Sequence, residues 1–293
     1  MKKSYMYAIV TVLIWSTLAP ITKSMISEVP NMEVLFISSI FAFAFLLLLN
    51  IKNGTIKKMS RYTLKDYSVI SGLGFVGLFV YSALYYYGLT QLSSQEACIL
   101  NYLWPIMLVV FSCIFLREKM TAIKGFAMIC SFIGIIIISL GSKNVVHGNP
   151  GLGIMSCIVA AACYGFFSVM NKKADYNQNF SMMIMWLVTA IASGVIGLFV
   201  ESWVPIRGIQ WLGLLWLGIV VNAVAYLLWA LAIKSAENTA QIANLAFLTP
   251  FLSLVVSRIF LKEQIQPQAF VALVFIVGGI LLQNLYEHKT KNN

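Results

Sequence analysis

Residues 101–120 read NYLWPIMLVVFSCIFLREKM, and residues 246–265 read AFLTPFLSLVVSRIFLKEQI. The two stretches are identical at eight of 20 positions, and Pro105 aligns with Pro250 at an offset of 145. Each stretch is apolar, contains one proline near its start and has a basic residue followed by glutamate near its end. The chain therefore carries an internal duplication, whose meaning depends on the surroundings in which the chain folds.

The composition places the chain in a membrane. Of its 293 residues, 60% are hydrophobic and only 10% are charged, whereas a soluble domain carries about 25% charged residues. The apolar residues form runs of about 20 residues, each long enough to cross a hydrocarbon core of about 30 Å at 1.5 Å per residue. The sequence predicts ten spans, joined by short connections: 5–25, 33–50, 67–89, 95–116, 122–141, 151–171, 181–203, 210–233, 239–261 and 267–285.

The duplication divides these spans into two halves, 1–146 and 147–293, of five spans each. Because five is odd, the second half enters the membrane from the opposite side. The predicted fold is thus an all-α integral membrane protein of ten transmembrane helices in two inverted five-helix repeats. A second alignment agrees, since Trp15 aligns with Tyr164 at an offset of 149. Secondary transporters use inverted repeats to open a midplane site alternately to each face.

The basic residues predict the orientation. Alternation of the spans assigns 15 Lys and Arg residues to the side of the termini and 5 to the other side. By the positive-inside tendency both termini are cytoplasmic, which predicts a multi-pass protein of the cell (inner) membrane. The net charge of +10 is then explained by topology and by attraction to anionic lipid. A lipid bilayer is the predicted partner, and nucleic acid is not.

The sequence offers no catalytic or metal-binding pattern. It has two histidines, His147 in a loop and His288 in the tail, and its five cysteines all fall within spans. The stretch GLGFVG at 72–77 matches a dinucleotide-binding pattern, but it lies inside a span and is better explained by close helix packing. No phosphate-binding loop is present. We therefore predict no cofactor, no metal and no catalytic residue, and favour a transporter over an intramembrane enzyme, a receptor or a scaffold.

Two paired motifs resemble a known family. Phe-Leu-Arg-Glu at 115–118 and Phe-Leu-Lys-Glu at 260–263, together with the ten spans, resemble the EamA family of the drug/metabolite transporter superfamily over nearly the whole chain. NYLWP at 101–105 and NLAFLTPFLSL at 244–254 resemble the branch that exports aromatic amino acids. The resemblance implies a carrier that exports amino acids, with aromatic ones favoured. The alternative is a broad-specificity carrier of drugs or other metabolites, with or without proton coupling.

The two aligned prolines lie near the membrane midplane. Pro105 precedes Arg117 by 12 residues, and Pro250 precedes Lys262 by 12, so each is about 18 Å from its own membrane edge. A proline inside a helix frees a carbonyl, which is tolerated in a bilayer only where protein or a water-filled cavity meets it. We predict that both breaks face a cavity between the halves and gate it, with a packing kink as the alternative.

Aromatic and amide side chains at similar depth predict the lining of this cavity. Burying an amide in hydrocarbon costs free energy unless the amide forms hydrogen bonds. The amides, including that of Gln241, should therefore face the bundle interior. Packing between helices and hydrogen bonding across them are the alternative explanations for each residue. The predicted substrate-binding residues are Asn101, Tyr102 and Trp104, with Trp15, Tyr81 and Tyr85, from the first half, and Tyr164, Asn222, Asn244 and Phe247 from the second.

The charged residues predict the remaining roles. No carboxylate falls near the midplane, so downhill movement or exchange is favoured over proton coupling. Glu96 closes the capping box Ser93-Ser-Gln-Glu at the outer mouth, with a substrate or proton site as the alternative. Lys23 and Lys172, which align in the repeat, are expected to snorkel to the interface, with gate contacts as the alternative. The sequence does not indicate an oligomeric state.

Overall fold

A computed structural model describes residues 3–18, 29–92, 97, 100–139, 149–174, 176–260 and 267–292. Lys23 and the Ser93–Glu96 capping box lie outside these residues. Within the described residues the chain is helical with short connections and contains no strand. The α-helices are α1 (Lys3–Trp15), α2 (Asn31–Lys52), α3 (Leu64–Gly74), α4 (Tyr81–Gln91), α5 (Trp104–Phe115), α6 (Ala122–Ser139), α7 (Pro150–Lys173), α8 (Gln178–Val200), α9 (Gln210–Leu215), α10 (Tyr226–Lys234), α11 (Thr239–Leu245), α12 (Leu248–Phe260) and α13 (Pro267–Asn292).

The helices have the length and composition of membrane spans. Five of the described helical stretches are long and apolar enough to cross a membrane: Asn31–Lys52, Leu64–Gly88, Pro150–Lys173, Gln178–Val200 and Gln210–Lys234. The stretch Pro150–Lys173 starts where the side chain of Asn149 accepts a hydrogen bond from the backbone N–H of Leu152, and Gln178–Val200 starts at Asn177 in the same way. These caps satisfy backbone donors that helix termini leave open. The predicted all-α membrane fold is confirmed.

The two spans that carry the aligned prolines are both interrupted, as predicted. Helix α5 begins at Trp104 with Pro105 in its first turn, and α12 begins at Leu248, two residues before Pro250. Just before each start the backbone uses tighter three-residue hydrogen bonds, from Leu103 N–H to Leu100 O (3.1 Å) and from Phe247 N–H to Asn244 O (3.2 Å). Such bonds satisfy groups for which a regular helix has no partner beside a proline.

The first span differs from its predicted extent of 5–25, because its regular helix ends at Trp15. The hydroxyls of Ser16 and Thr17 donate to the carbonyls of Leu13 and Ile14, each at 2.7 Å. These short side chains satisfy carbonyls in the last helical turn, which favours a helix end at this point. A third helix therefore stops at about the same depth as the two proline breaks.

Two spans contain π-helical segments that no sequence pattern predicted. Phe75–Val80 lies between α3 and α4, and Trp216–Ala225 lies between α9 and α10. They occupy the third span of each half, so the irregularity is itself repeated. A π-turn adds a residue and rotates the helix that follows it, and such turns are frequent at functional sites.

The second span of each half packs against its counterpart, α2 against α8. At one end of this pair the Glu33 carboxylate accepts a hydrogen bond from the Val204 N–H, and Glu201 accepts one from the Met32 N–H, both at 2.9 Å. At the other end the side chain of Asn50 donates to the Asn179 carbonyl at 2.9 Å. Hydrogen bonds therefore connect these two spans at both ends of the pair.

The fifth spans of the two halves also pack against each other, as α6 against α13. A Cβ atom added to Gly279 would lie 2.5 Å from the Ala127 carbonyl oxygen, and one added to Gly134 would lie 2.8 Å from the Ala272 carbonyl oxygen. These two glycines align at an offset of 145 in the sequence. Helices α6 and α13 therefore cross symmetrically. Their backbones approach closely at the two glycines, because glycine has no side chain.

The glycines of GLGFVG also serve helix packing. A Cβ atom at Gly74 would lie 2.6 Å from the Cα atom of Met185, and one at Gly77 would overlap the ring of Phe167. Both neighbours belong to the second half of the chain. The packing explanation predicted for this stretch is confirmed at these two positions.

Adjacent glycines on α13 provide a matched test of this crossing. Gly279→Ala should destabilise the protein by about 1–3 kcal/mol, because the new methyl group meets a backbone carbonyl that has no room to move. Gly278→Ala places its methyl where nothing lies within 4 Å, and should be neutral or slightly stabilising. Thermal unfolding in detergent compares the two variants. Equal unfolding temperatures would contradict the tight crossing.

Candidate substrate cavity

A cavity of about 210 Å³ lies between the two halves. An engineered protein cavity of about 150 Å³ holds benzene, so this one has room for an aromatic ring and a small polar group. Side chains from eight of the predicted spans form its wall. The lining residues are Trp15, Leu18, Val34, Leu35, Ser38, Tyr81, Ser82, Tyr85, Tyr86, Asn101, Tyr102, Trp104, Tyr164, Trp186, Leu217, Val221, Asn222, Tyr226, Thr249, Pro250 and Ser253.

We call the side of the bundle that carries the chain termini, and to which most Lys and Arg residues are assigned, the basic side or basic end. The cavity lies in the half of the bundle away from this side. Its lining includes the last residue of α1, residues in the first turns of α2 and residues in the first half of α4. The start of α2 lies on the side that the sequence predicts to be external, and the end of α1 lies near the predicted midplane. Below the cavity, towards Lys172 at the end of α7, the side chains of Phe167 and Val169 are buried. In this conformation the cavity is closed on the basic side.

Most of the predicted site residues come together here. Eight of the ten predicted binding residues line the cavity, and so does Pro250, one of the two predicted gating prolines. The eight are Trp15, Tyr81, Tyr85, Asn101, Tyr102, Trp104, Tyr164 and Asn222. Their role in binding a substrate remains a prediction.

Three predicted residues lie outside the lining. Phe247 is fully buried and faces Phe132 of α6, with ring centroids 6.4 Å apart. Asn244 is also fully buried, within α11, and Pro105 is buried at the start of α5. The placement of Phe247 and Asn244 on the cavity wall was therefore wrong. The prediction used position along the span, which does not fix the direction that a side chain faces.

Trp104 forms the floor of the cavity. Its ring stands edge-on to Trp15 at 6.0 Å and to Tyr164 at 5.0 Å, each with an interplanar angle of 89°. Trp15 and Tyr164 are the residues that align across the repeat, so equivalent aromatics from both halves contact the same indole. Trp229 lies 5.3 Å from the Trp104 ring and extends this layer. Edge-to-face packing is a favoured geometry for aromatic rings.

Sequence reasoning missed several wall residues. Tyr226 contacts Trp15 at 5.5 Å and Trp186 at 5.2 Å between ring centroids. Trp186 is only 1% exposed. The signal available for Trp186 was its position in the interior of a span, since tryptophan usually collects at membrane interfaces. The cavity-facing position of Tyr226 follows the π-helical segment that ends at Ala225, which no sequence pattern announced.

Several polar atoms in the wall have no partner within the described part of the chain. They include the Asn101 Oδ1, Thr249 Oγ1 and Trp186 Nε1 atoms, all buried. A buried polar group left unsatisfied costs about 1–3 kcal/mol. The lining residues thus carry both hydrogen-bond acceptors and donors that the described protein does not use.

Two other amides form interhelical hydrogen bonds instead. Asn222 donates to the Ser38 hydroxyl at 3.2 Å, and Gln241 accepts from the Tyr5 hydroxyl at 2.8 Å. Both face the bundle interior, as predicted. Asn222 also lines the cavity, so its hydrogen bond to Ser38 positions it there.

Lys172 does not snorkel to the interface. Its side chain is only 14% exposed and its Nζ atom lies 2.8 Å from a carboxylate oxygen of Glu118. The snorkelling prediction for Lys172 was therefore wrong, because a carboxylate from the other half provides a better partner than the membrane surface. Lys23, for which the same prediction was made, lies outside the described residues.

Comparison with protein families assigns the chain. The model of the EamA-like transporter family matches residues 2–140 and again residues 151–285. The chain belongs to the EamA-like transporter family. The two matches place one copy of the EamA unit in each half, in agreement with the duplication and with a ten-helix membrane protein of two inverted repeats. Its substrate class is accordingly small molecules.

Curated relatives carry the same assignment at low identity. An uncharacterized transporter of Clostridium kluyveri is 27% identical over 100% of this chain and 96% of its own. The aromatic amino acid exporter YddG of Ancylobacter novellus is 24% identical over 94% of each chain. A probable terminal-alkyne amino-acid exporter of Streptantibioticus cattleyicolor is 22% identical over 75% of this chain and 74% of its own. A solved crystal structure superposes with a TM-score of 0.87 over 97% of both chains at 21% identity, which shows a shared fold.

Asn101 should be a residue whose loss affects binding more than stability. Asn101→Ala removes a buried oxygen that has no partner within the described residues, so the empty protein should keep its unfolding temperature or gain slightly. Asn50→Ala is the matched comparison, because Asn50 donates to the Leu46 and Asn179 carbonyls and its loss should cost about 1–3 kcal/mol. Thermal unfolding measures both. A larger loss for Asn101→Ala than for Asn50→Ala would show that Asn101 is structural.

Proposed function

We propose that this EamA protein is an inner-membrane carrier that exports amino acids, with aromatic ones favoured, by alternating access around the cavity. The observation that carries the proposal is the chemistry of the wall. Aromatic rings from both halves line the cavity, and the same lining includes amide, hydroxyl and indole side chains with buried polar atoms that have no partner in the described residues. A solute with one ring and one small polar end suits both parts.

The absence of charge in the described lining favours a solute with no net charge. None of the lining residues is Lys, Arg, Asp, Glu or His. Bringing a net charge into such a cavity is costly without a counter-ion. An amino-acid zwitterion carries opposite charges on adjacent groups, so it needs hydrogen bonds rather than a counter-ion. The Asn101 oxygen suits its ammonium group, and the Thr249 hydroxyl and Trp186 N–H suit its carboxylate.

The aromatic floor supports preference for an aromatic side chain. Trp15, Trp104 and Tyr164 present ring edges and faces to the cavity, and aromatic pairs gain about 0.5–1.5 kcal/mol beyond the area they bury. Two relatives are named as amino-acid exporters, one of them of aromatic amino acids, and they support the same class. The volume of about 210 Å³ suits such a solute better than a large drug.

The architecture supports alternating access. Three helices are interrupted at the cavity, and the repeats that contain them have opposite topology, which is the arrangement of carriers with midplane sites. Because no lining residue in the described structure is an acid, the proposal includes no proton carrier in the cavity. The proposed mechanism is therefore exchange of solutes or movement of the solute down its own gradient.

Counterflow in proteoliposomes tests the substrate class. Vesicles loaded with unlabelled phenylalanine or tryptophan should take up trace labelled phenylalanine with no ion gradient, because a carrier that exchanges solutes needs no other driving force. Loading with threonine should support less counterflow, and loading with a cationic dye should support none. If only the dye supports counterflow, the proposed substrate class is wrong. Uptake that begins only with a proton gradient would overturn the uncoupled mechanism.

Two tryptophans test the aromatic floor. Trp104→Ala should reduce the apparent affinity for phenylalanine at least about tenfold, or about 1.4 kcal/mol, because the ring that contacts both repeats is lost. Trp211→Ala is the control, since Trp211 is 42% exposed on the outer surface of the bundle and lies outside the lining. The apparent affinity for phenylalanine is measured by counterflow, with variants that are monodisperse and therefore folded. An unchanged affinity in Trp104→Ala would exclude the floor from binding.

A further inference from the structure

A charged cluster connects the two halves at the basic end. The Glu118 carboxylate accepts hydrogen bonds from the Lys172 Nζ at 2.8 Å, from the Thr239 backbone N–H at 3.0 Å and from the Thr239 hydroxyl. We call Glu118, Lys172 and Thr239 the clasp. Their contacts link the chain just after α5 to the end of α7 and the start of α11.

The ammonium group in the clasp is fully used. Besides Glu118, the Lys172 Nζ donates to the Thr239 hydroxyl at 2.8 Å and to the Ala236 carbonyl at 3.2 Å. An ammonium group has three protons, and all three find acceptors. The side chains of Lys172 and Glu118 are only 14% and 23% exposed. A half-buried pair with this many hydrogen bonds is stronger than an isolated surface pair.

The clasp joins the two EamA units. Glu118 belongs to the unit matched at 2–140, whereas Lys172 and Thr239 belong to the unit matched at 151–285. Helix α5 has 12 residues, so Trp104 at its start and Glu118 beyond its end are separated by about 17–20 Å along the helix. The cavity and the clasp therefore lie at opposite ends of α5, and the clasp is on the side where the cavity is closed.

The backbone beside Glu118 is strained. Arg117 has a φ of +57°, and it is the non-glycine residue with positive φ in the described part of the chain. This left-handed conformation costs about 1–2 kcal/mol for a residue with a Cβ atom. It turns the chain directly after α5, so that the next side chain points back towards α7 and α11. Strain of this kind persists where surrounding contacts hold it, often at switch regions.

The carboxylate of the clasp is ionised at neutral pH. Burial by itself would raise the pKa of Glu118, but hydrogen bonds from Lys172 and Thr239 and the positive charge of Lys172 bring that pKa below its ordinary value. A lowered pKa means that the contribution of the carboxylate is complete above its ordinary pKa and is lost only as the pH falls through the lowered one. The pair is thus a stable contact under ordinary conditions.

We propose that the Glu118–Lys172–Thr239 clasp is the gate that keeps the cavity closed on the basic side, and that it breaks each time the carrier opens there. This assignment rests on the proposed alternating-access function. The opening of the basic side separates α5 from α7 and α11, and the clasp is a direct polar connection between them. Water that enters on opening hydrates both ions, so the clasp is strong when closed and inexpensive to separate when wet.

Two cysteine reporters test the gate in a background that lacks the five native cysteines. The first is Ser168→Cys. Ser168 lies below the cavity floor and is 5% exposed, so a membrane-impermeant maleimide applied to the basic face should label a thiol at this position only when that side opens. Glu118→Gln should increase this labelling rate about tenfold, because the ion pair that stabilises the closed state is lost. Lys172→Met should do the same.

The double variant and a second reporter make the test specific. If Glu118 and Lys172 act through one contact, Glu118→Gln with Lys172→Met should label no faster than the faster single variant. The second reporter is Ser253→Cys, at a position that lines the cavity, and its labelling from the opposite face should stay equal or fall. An increase at both reporters would mean a loosened bundle and would overturn the gate assignment.

Glu201→Gln is the matched control. Glu201 also bridges the two EamA units, through the Met32 N–H, but at the opposite end of the bundle. Its loss should leave labelling of the position-168 reporter unchanged within about twofold. Equal effects of Glu201→Gln and Glu118→Gln would overturn the assignment, as would a labelling rate at position 168 that neither clasp variant changes.

The result is separable from the substrate proposal, because labelling requires no substrate. If labelling at position 168 responds as expected but phenylalanine fails in counterflow, the gate is supported and the substrate class is wrong. If phenylalanine exchanges and labelling at position 168 does not respond, the substrate class stands and the gate lies elsewhere.

Discussion

A hydrocarbon bilayer offers no hydrogen-bond partner to the peptide backbone, and this structure depends on how it meets that constraint. Regular helices satisfy their own backbone, yet α1 stops at Trp15, α5 starts at Trp104 and α12 starts at Leu248. The three interruptions lie at similar depth and border one cavity. Hydroxyls, tight turns and the cavity itself receive the groups that the breaks release. The site is therefore located where continuous helix is absent.

Two pairs of equivalent spans connect the two halves of the bundle. Helices α2 and α8 are fastened at both ends, and α6 and α13 touch through paired glycines. These pairs involve equivalent spans of the two EamA units and follow the repeat symmetry. A polar contact between Glu118, just after α5, and Lys172, at the end of α7, adds a third connection between the halves at the basic end.

Symmetry provides the cavity, and divergence between the repeats provides its chemistry. Trp104 corresponds to Thr249 at the offset of 145, and Trp15 corresponds to Tyr164 at the offset of 149. All four residues line the cavity. One side of the pseudo-symmetric site has consequently become an indole and the other a hydroxyl. Two equal walls could not distinguish the two ends of a solute, and the walls of this cavity differ in chemistry.

The sequence by itself determined the membrane class, the duplication and the inverted parity of the halves, because apolar length, residue offset and the number of spans in each half are properties of the linear chain. It also identified eight wall residues whose depth and type sufficed. Only the tertiary structure decided which way each side chain faces. Asn244 and Phe247 were expected on the cavity wall but lie outside its lining, and Tyr226 reaches the wall after a π-turn. The Glu118–Lys172 contact likewise needed the fold, because rotation about helix axes and pairing between distant segments arise from packing that a linear pattern does not encode.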